Sequence, residues 1–494
     1  MPPNATGIWW KNPAVIIALL AHAVVFLWLF QLEFTREEWN RVEAKSPDKY
    51  WKDRVQAMWE EKGPLGLIIW FFDKHGEARI YYRYARLTLN GNTDYWEKEK
   101  NYKPQVERSL PYRDIPLEYQ PGALIVFIPP ALFSTDYESY RFWLGVWLGI
   151  LHTLNLFLCI HLIARKPFSP ARMSRMLWWS LAFLFCLGGI AVARFDHLAV
   201  TFILLSILLF KTAMKKESGA AMKWFFAFGF VASMGVLTKI IPGLVIPAAL
   251  LVLLILYRDS ASWKACVYSL AGLTAGLVLF NCVFLGIFGK GYLESYTYHM
   301  DRGVQIESLY SGIILLAHTV SQFSIALDNS YGSYNLVSPF TAEAKLLSPI
   351  LFFFLAALIA WRVWQSRFHK NINASTEFCS SNSVLVLTLI FLLAFILTNK
   401  VFSPQYMIWP AALIAGLVAV REDFQKIGWL FLLATGLTQA IYPHLYNFLT
   451  GFHPAMVMAL NLRNAILIFI LVSLIRNLPK LLSEGQEARS FSDI

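Results

Sequence analysis

Charged residues are scarce in this sequence. They make up 15% of its 494 residues, whereas 57% are hydrophobic. A soluble protein of this length would need many more polar side chains to cover its surface. The composition therefore excludes an ordinary soluble protein and predicts helices that lie in a lipid bilayer.

Cysteine is scarce as well, and its spacing excludes two further kinds of protein. The sequence has five cysteines, most of them inside apolar runs: Cys159, Cys186, Cys266, Cys282 and Cys379. They form no Cys-x-x-Cys pair and no other metal-ligating spacing. We therefore expect buried, unreactive thiols rather than a disulfide framework or a metal site.

Long apolar runs are what the sequence does contain, among them Ile16–Phe30, Ala199–Phe210 and Leu244–Tyr257. A bilayer core of roughly 30 Å needs about 20 helical residues, so these runs approach the length of a membrane crossing. The first run, Pro13–Leu32, is followed by no small-residue cleavage site, and we expect it to be retained. About 12 membrane helices are predicted. They fall near 13–31, 140–164, 176–193, 197–213, 223–238, 242–257, 265–288, 345–363, 383–398, 405–420, 427–443 and 455–475.

The predicted fold is an all-α polytopic membrane protein. Residues 1–475 form one domain, and 476–494 form a cytoplasmic tail. A long polar loop on the outer side, residues 33–120, follows the first helix. The short apolar segment Ala123–Phe133 is interrupted by two prolines, and we expect it at the membrane interface rather than across the bilayer.

The net charge of +11 would suit a nucleic-acid-binding protein, but the distribution of the basic residues argues against a nucleic-acid partner. These residues cluster in alternate short loops, as the positive-inside rule requires of cytoplasmic loops. The clustered cations are Arg165, Lys166, Arg172, Arg175, Lys211, Lys215, Lys216, Lys223, Arg258, Lys264, Arg362, Arg367, Lys370, Arg421, Lys426, Arg476 and Lys480. The outer side then collects the 33–120 loop and the segments 194–197, 239–242, 289–344, 399–405 and 444–454.

Charged residues on that outer side are the informative ones, because a charge at a membrane helix centre costs at least ~2.5 kcal/mol on insertion scales. The long loop carries Glu77 and Tyr81, whose spacing places them on one helix face, and later Asp114 and Glu118. Carboxylates near aromatic rings suit a general base that acts on a sugar hydroxyl. The alternative is a solvated loop whose acids cap helices.

Two further outer segments carry charges. Arg194 and Asp196 lie in a turn between apolar runs, where they either take a functional role or form a structural pair at a helix end. Lys239 stands alone among apolar residues, where a lysine needs an anionic partner. Its alternative is to extend its ammonium toward the interface.

The richest outer segment contains His299, Arg302, Gln305 and Glu307, and Lys400 lies in a matching segment downstream. Arginine offers a planar fork of donors and lysine a point charge, so Arg302, Lys400 and Lys239 together suit a phosphate at the membrane surface. His299 either adds a donor or is only hydrogen-bonded in place. The pattern indicates an anionic lipid-linked substrate, with its phosphate at headgroup level and its tail in the bilayer.

These outer motifs also occur in a recognisable order. They are Glu77-x-x-x-Tyr81, Gly91-x-x-x-Tyr95, Glu118-Tyr119-Gln120-Pro121, Arg194-Phe195-Asp196, Lys239-x-x-Pro242, Arg302-x-x-Gln305-x-Glu307-Ser308 and Ser403-Pro404-Gln405-Tyr406-x-x-Trp409. The set resembles glycosyltransferase family 87, membrane mannosyltransferases of the C-type superfamily that use polyprenyl-phosphate sugars. The resemblance spans residues 10–475.

The resemblance implies a mechanism with inversion at the anomeric carbon. Glu77, at a position where the family usually has aspartate, would deprotonate the acceptor, with Asp114 and Glu118 as alternatives because Tyr119-Gln120-Pro121 also departs from the family's Tyr-Pro-Pro. His299, Arg302, Lys400 and Lys239 would hold the donor phosphate. The implied substrate-lining residues are Tyr81, Tyr119, Arg194, Asp196, Gln305, Glu307, Gln405, Tyr406 and Trp409.

The implied partners are a polyprenyl-phosphate sugar donor, a lipid or glycan acceptor and membrane lipids. The sequence has no Asp-x-Asp motif, so we expect no obligatory metal and no cofactor. The implied location is the cell (inner) membrane, with the site on its non-cytoplasmic face. One alternative is a transporter or flippase of lipid-linked sugars, which would show internal repeats and midplane charges. Another is a structural membrane protein.

Overall fold

The computed structural model describes residues 12–32, 36–45, 51–72, 77–100, 103, 108–163, 169–216, 218–257, 260–366 and 377–483. Seven helices in these ranges are long and apolar enough to cross a membrane. They are Pro13–Gln31, Tyr137–Ile163, Asp196–Ala213, Gly219–Thr238, Ser260–Asp301, Thr341–Ser366 and Pro454–Arg476. Each coincides with a predicted span, so the predicted all-α polytopic membrane fold is confirmed.

The other five predicted spans are helices too, but they are shorter, broken or less apolar. Three of them are the single helices Pro170–Leu187, Glu377–Thr398 and Gln425–Gln439. The fourth consists of Ile241–Leu244, Val245–Leu251 and Val252–Tyr257, and the fifth consists of Pro404–Met407 and Ile408–Val420. Several of these helices have a proline at their first or second position. Proline fits the first turn of a helix but lacks the N–H donor that an interior turn needs.

The helix Glu377–Thr398 lies at the centre of the bundle. From Ser383 to Thr398 every side chain except Phe395 is buried. The helices Ser260–Phe288 and Thr341–Ser366, in contrast, expose many of their apolar side chains. A helix that is apolar all round suits either the middle of the bundle or its lipid-facing edge, and the sequence alone does not separate these two positions.

The polar segment 33–120, predicted as a loop, contains five helices within the described residues. They are Arg36–Lys45, Trp51–Lys62, Pro64–Phe71, Glu77–Asn90 and Asp94–Lys100. The first three pack around Val42, Ala57, Met58 and Ile69. The short helix Leu124–Leu132, which contains two prolines, follows this segment.

The stretch 289–344 holds structure that the sequence did not predict. The short helices Gly289–Leu293 and Glu294–Asp301 lead to the strand Val304–Gln305, and the helix Leu309–Ser321 follows. The strands Ala326–Ser330 and Ser333–Val337 form a hairpin. Its second strand pairs antiparallel with Val304–Gln305, with Val304 opposite Leu336. The short helices Gly189–Ala193, Ala440–His444 and Tyr446–Thr450 complete the connections, and Leu478–Ser483 ends the described chain.

Several of the predicted cytoplasmic cations bind carbonyl oxygens at the ends of helices. The Lys211 Nζ donates to the Leu162 carbonyl at 2.7 Å, and the Arg362 Nε donates to the Ile475 carbonyl at 3.2 Å. A helix C-terminus carries unpaired carbonyls and a partial negative charge, so lysine and arginine are favoured there. These basic residues therefore share one end of the bundle.

Candidate active site

Asp196 and Lys239 form a buried ion pair at the other end of the bundle. The Lys239 Nζ donates to Asp196 Oδ1 at 2.7 Å, and the Trp409 Nε1 donates to the same oxygen at 2.6 Å. Asp196 begins the helix Asp196–Ala213, and Lys239 follows the end of the helix Ser218–Thr238. The anionic partner expected for Lys239 is therefore Asp196. The expected pairing of Asp196 with Arg194 stays a prediction.

Aromatic rings surround the Lys239 ammonium on several sides. Its Nζ lies 5.0 Å from the ring centroid of Phe195, 5.6 Å from that of Tyr406 and 5.1 Å from that of Trp409. These distances are within the range of cation–π attraction. Burial lowers the pKa of Lys239, as do the charges of Arg194 and Arg302, whereas Asp196 opposes this shift. The ammonium is held in place, but its surroundings retain an excess of positive charge.

Arg302 lies within this excess and is itself buried, with 9% of its surface exposed. Its Nε has no hydrogen-bond partner, and no carboxylate forms an ion pair with it, among the residues that the structure describes. Its charge acts on Lys239, His299 and Lys400, so the other three predicted phosphate-binding residues lie within electrostatic range of Arg302. An arginine buried without a partner is costly, and an anionic ligand would remove that cost.

The segment that carries Arg302 is tied to the segment that carries Lys400. The Gln305 N–H donates to the Lys400 carbonyl at 2.9 Å, and the Ser403 Oγ donates to Gln305 Oε1 at 3.2 Å. The Lys400 Nζ donates to the Met300 carbonyl. Burial lowers the pKa of Lys400, and the charges of Lys345 and Arg302 lower it further. The two segments thus converge as the sequence predicted.

Glu307 forms a second buried network beside Arg302. Burial raises the pKa of Glu307 to about 7, although Tyr446, Arg463 and Arg302 each act to lower it. Arg463 stacks on Phe402 with its Cζ 3.9 Å from the ring centroid and donates to the Glu307 carbonyl. The sequence analysis missed Arg463, although a charged residue inside the run Pro454–Arg476 is a signal that should have identified it.

Glu118 lies beside the cation cluster. The Tyr298 hydroxyl donates to Glu118 Oε2 at 2.9 Å, and the His299 ring hydrogen-bonds to the Glu118 backbone. His299 is therefore anchored in place as well as near Arg302. Tyr298, which precedes it, is a site residue that the sequence analysis did not select.

Asp114 is committed to a local turn. Its carboxylate accepts from the Leu110 N–H at 2.7 Å and forms an ion pair with Arg113 at 3.1 Å. Partial burial would raise its pKa, but these two donors outweigh burial and lower it. A carboxylate bound in this way is a weak proton acceptor, so Asp114 is poorly suited to act as the base.

Glu77 is the first residue of the helix Glu77–Asn90, and its side chain lies outside what the structure describes. Tyr81, one turn later, is fully buried and stacks on Phe127 with ring centroids 4.4 Å apart. Tyr81 also meets Phe195, the ring that faces Lys239, with centroids 5.9 Å apart. The helix that begins at Glu77 is thereby connected to Lys239 through the ring of Phe195.

The other residues predicted to line a substrate divide into two groups. Arg194, Tyr119, Gln405 and Tyr406 are partly exposed. Tyr81, Asp196, Gln305, Glu307 and Trp409 are buried within the protein, where they support other side chains. As for metals, the described residues contain no group of three or more His, Cys, Asp or Glu side chains suited to hold an ion.

Part of the chain is similar to a known protein family. Residues 133–285 match the family model for dolichyl-phosphate-mannose-protein mannosyltransferases. This segment contains Arg194, Asp196 and Lys239 but not Arg302 or Lys400. The particular resemblance to glycosyltransferase family 87 is not confirmed by this match. No curated protein and no solved structure matches the chain.

The fold and this match together define a class. The chain is an integral membrane protein with many helices, and part of it is similar to a family of membrane sugar transferases. The matched helices supply the Asp196–Lys239 pair of the candidate site.

Proposed function

We propose that the protein is an inverting glycosyltransferase. It moves a sugar, with mannose favoured by the family match, from a polyprenyl-phosphate donor to a lipid or glycan acceptor. Its site opens on the non-cytoplasmic face of the cell membrane, and it uses no metal or cofactor.

One observation carries this proposal: Arg302 is buried among other cations without an ion-pair partner in the described residues. A polyprenyl-phosphate sugar is a phosphodiester, and its single negative charge would supply the anionic partner that Arg302 lacks. The leaving polyprenyl phosphate gains charge as the glycosidic bond breaks. Preorganised cations that face this developing charge stabilise the transition state more than the ground state.

The cations take different parts in this proposal. Arg302 and Lys400 contact the phosphate, whereas the His299 ring is bound to the Glu118 backbone and holds Glu118 beside them. Lys239 is bound to Asp196, so it contributes mainly through its charge. Of the four predicted phosphate ligands, we therefore propose Arg302 and Lys400 as the two principal ones.

A carboxylate completes the reaction. The acceptor hydroxyl loses its proton to the base, its oxygen bonds to the anomeric carbon from the side opposite the phosphate, and the polyprenyl phosphate leaves as an anion. We assign the base to Glu77. Glu118 is the alternative because Tyr298 and His299 place it beside the cation cluster.

The alternative function, a transporter or flippase of lipid-linked sugars, is less well supported. A transporter holds its substrate near the bilayer midplane, between repeated halves. Here Asp196, Lys239, Arg302 and Lys400 all lie at the ends of helices or just beyond them.

Incubation of the purified protein with polyprenyl-phosphate mannose tests the proposal. We expect mass spectrometry to show a mannosylated acceptor and free polyprenyl phosphate, with no transfer when a nucleotide sugar replaces the lipid donor. Movement of the intact donor between the leaflets of a vesicle, without cleavage, would favour the transporter instead.

A further inference from the structure

The hairpin formed by Ala326–Ser330 and Ser333–Val337 is joined to the candidate site. Its second strand pairs with Val304–Gln305, and the Ile306 N–H donates to the Tyr334 carbonyl at 3.0 Å. The strand Val304–Gln305 lies between Arg302 and Glu307 in the chain. The hairpin is thus part of the same rigid element as the phosphate-binding segment.

Two exposed tyrosines on this hairpin each contact a tyrosine that is bound to a site carboxylate. Tyr331 meets Tyr298 with ring centroids 5.1 Å apart, and Tyr298 donates to Glu118. Tyr334 meets Tyr446 with centroids 5.8 Å apart, and Tyr446 hydrogen-bonds to Glu307. The rings of Tyr331 and Tyr334 therefore pack against the Tyr298–Glu118 and Tyr446–Glu307 pairs while part of each ring stays exposed.

The turn that carries Tyr331 is conformationally unusual. Tyr331 and Gly332 form a two-residue loop in which both residues have positive φ, +54° and +63°. Asparagine or glycine normally occupies the first of these positions, since a bulky side chain is disfavoured in the left-handed region. A tyrosine at this position costs conformational energy, which suggests that its side chain has a function in binding and was not selected for forming the turn. Asn335 fixes the turn by donating to the Ser330 carbonyl at 3.0 Å.

The exposed face of the hairpin has the chemistry of a saccharide site. Tyr331 is 38% exposed and Tyr334 is 37% exposed. Asn329 lies directly opposite Tyr334 in the ladder, so their side chains share a face. Tyrosine rings pack against the C–H face of a sugar, while the tyrosine hydroxyl and the asparagine amide bond its hydroxyl groups. A polyprenyl chain has no use for such polar groups.

We propose that this hairpin binds the acceptor and that the acceptor presents a saccharide, which packs on Tyr331 and Tyr334. This inference rests on the proposed function. In the proposed function the donor phosphate binds at Arg302. The hairpin covers the Tyr298–Glu118 pair, and Glu118 is the alternative base, so this surface suits the molecule whose hydroxyl must lose its proton. The exposed edge of Ala326–Ser330 would instead suit an extended peptide, which pairs through its backbone.

The test uses Tyr331→Ala, Tyr334→Ala and the conservative Tyr331→Phe in the full-length protein. Tyr268→Ala is the matched control, because Tyr268 is 44% exposed on the helix Ser260–Phe288, away from the hairpin. Octyl α-mannoside and a Ser/Thr peptide serve as acceptor probes, with polyprenyl-phosphate mannose as donor. We expect each alanine variant to raise the KM for octyl α-mannoside about three- to tenfold. The kcat and donor affinity should stay unchanged, and Tyr331→Phe, which keeps the ring but loses the hydroxyl, should raise the KM less than Tyr331→Ala does.

Three results would overturn the inference: an unchanged KM in both alanine variants, a KM effect confined to the peptide, or a fall in kcat alone. Direct titration of octyl α-mannoside into wild-type and Tyr331→Ala protein, followed by NMR, needs no donor. If the wild type neither binds nor cleaves the lipid donor, the proposed function fails, and this titration still decides whether the hairpin binds a sugar.

Discussion

Two buried arginines in this protein differ in how their charge is satisfied. Arg463 stacks on Phe402 and donates to the Asn464 side chain at 2.9 Å and to the Glu307 carbonyl. Arg302 has no comparable set of partners among the described residues. A buried guanidinium needs its donors occupied. Contacts within the protein do this for Arg463, and we propose that the donor phosphate does it for Arg302.

Each of the three acidic residues predicted as a base can be tested by its own substitution. Glu77→Gln should lower the rate of sugar transfer about 10²- to 10⁴-fold without lowering donor affinity, because a glutamine accepts no proton. Asp114→Asn should retain transfer, since Asp114 is bound by Arg113 and the Leu110 N–H. Single-turnover transfer assays measure both. If Glu118→Gln abolishes transfer and Glu77→Gln does not, Glu118 is the base.

Because Glu307 lies beside Arg302, we expect the affinity for the donor to depend on pH. Its raised pKa of about 7 means that it becomes anionic beside Arg302 as the pH rises through neutrality. A carboxylate there competes with the donor phosphate, which stays anionic throughout, so donor affinity should fall above pH 7. Glu307→Gln should flatten the profile of affinity against pH from 6 to 8, measured by equilibrium binding.

The stability of the folded protein should follow the same group. Between the ordinary pKa of 4.5 and about 7, folded Glu307 holds more protons than unfolded Glu307. Its contribution to the free energy of unfolding therefore falls as the pH rises through this window. The control Glu294→Gln changes an exposed carboxylate and should leave both profiles as in the wild type. A flat affinity profile in the wild type would contradict this role of Glu307.

At the scale of elements, long apolar runs predicted the helices well, because a helix that crosses the membrane needs about 20 mainly apolar residues. The hairpin was not predicted, since its Ser-Tyr-Gly-Ser turn lacks an Asn-Gly signal and its short strands do not alternate clearly. The partner of Asp196 was not predictable from the sequence, because Lys239 follows a different helix and only packing brings the two residues together. The convergence of Arg302 and Lys400 was predictable from their positions at ends of predicted spans.

The Asp196–Lys239 pair links two membrane helices, and a double-mutant cycle tests that link. Asp196→Asn and Lys239→Met should each destabilise the protein, since each leaves the other group buried without its counter-charge. The double variant should lose less than the sum of the two single losses, with a coupling of about 1–3 kcal/mol. Thermal unfolding in detergent measures the three variants. Strictly additive losses would mean that the two groups do not stabilise one another.

At the scale of the whole molecule, the bundle has two chemically different ends. The helix Asp196–Ala213 starts at the candidate site and, at 18 residues, is roughly 27 Å long. Lys211 lies near its other end, beside the Leu162 carbonyl. The basic loops and the candidate site are therefore separated by about the thickness of a bilayer core.

This separation predicts the sidedness of labelling. In a variant without the five native cysteines, Asn329→Cys should react in intact cells with a maleimide that does not cross the membrane. Lys216→Cys, at the basic end, should react only after the membrane is opened. Both positions are exposed. The reverse pattern would place the candidate site on the cytoplasmic face.

The most direct measurement is the affinity of purified protein for a polyprenyl-phosphate sugar when Arg302 is changed. We predict that Arg302→Ala weakens donor binding at least about tenfold, that Arg302→Lys recovers part of it, and that Arg172→Ala, an exposed arginine at the basic end, binds as the wild type does. Undiminished donor affinity in correctly folded Arg302→Ala would contradict a phosphate site at this cluster.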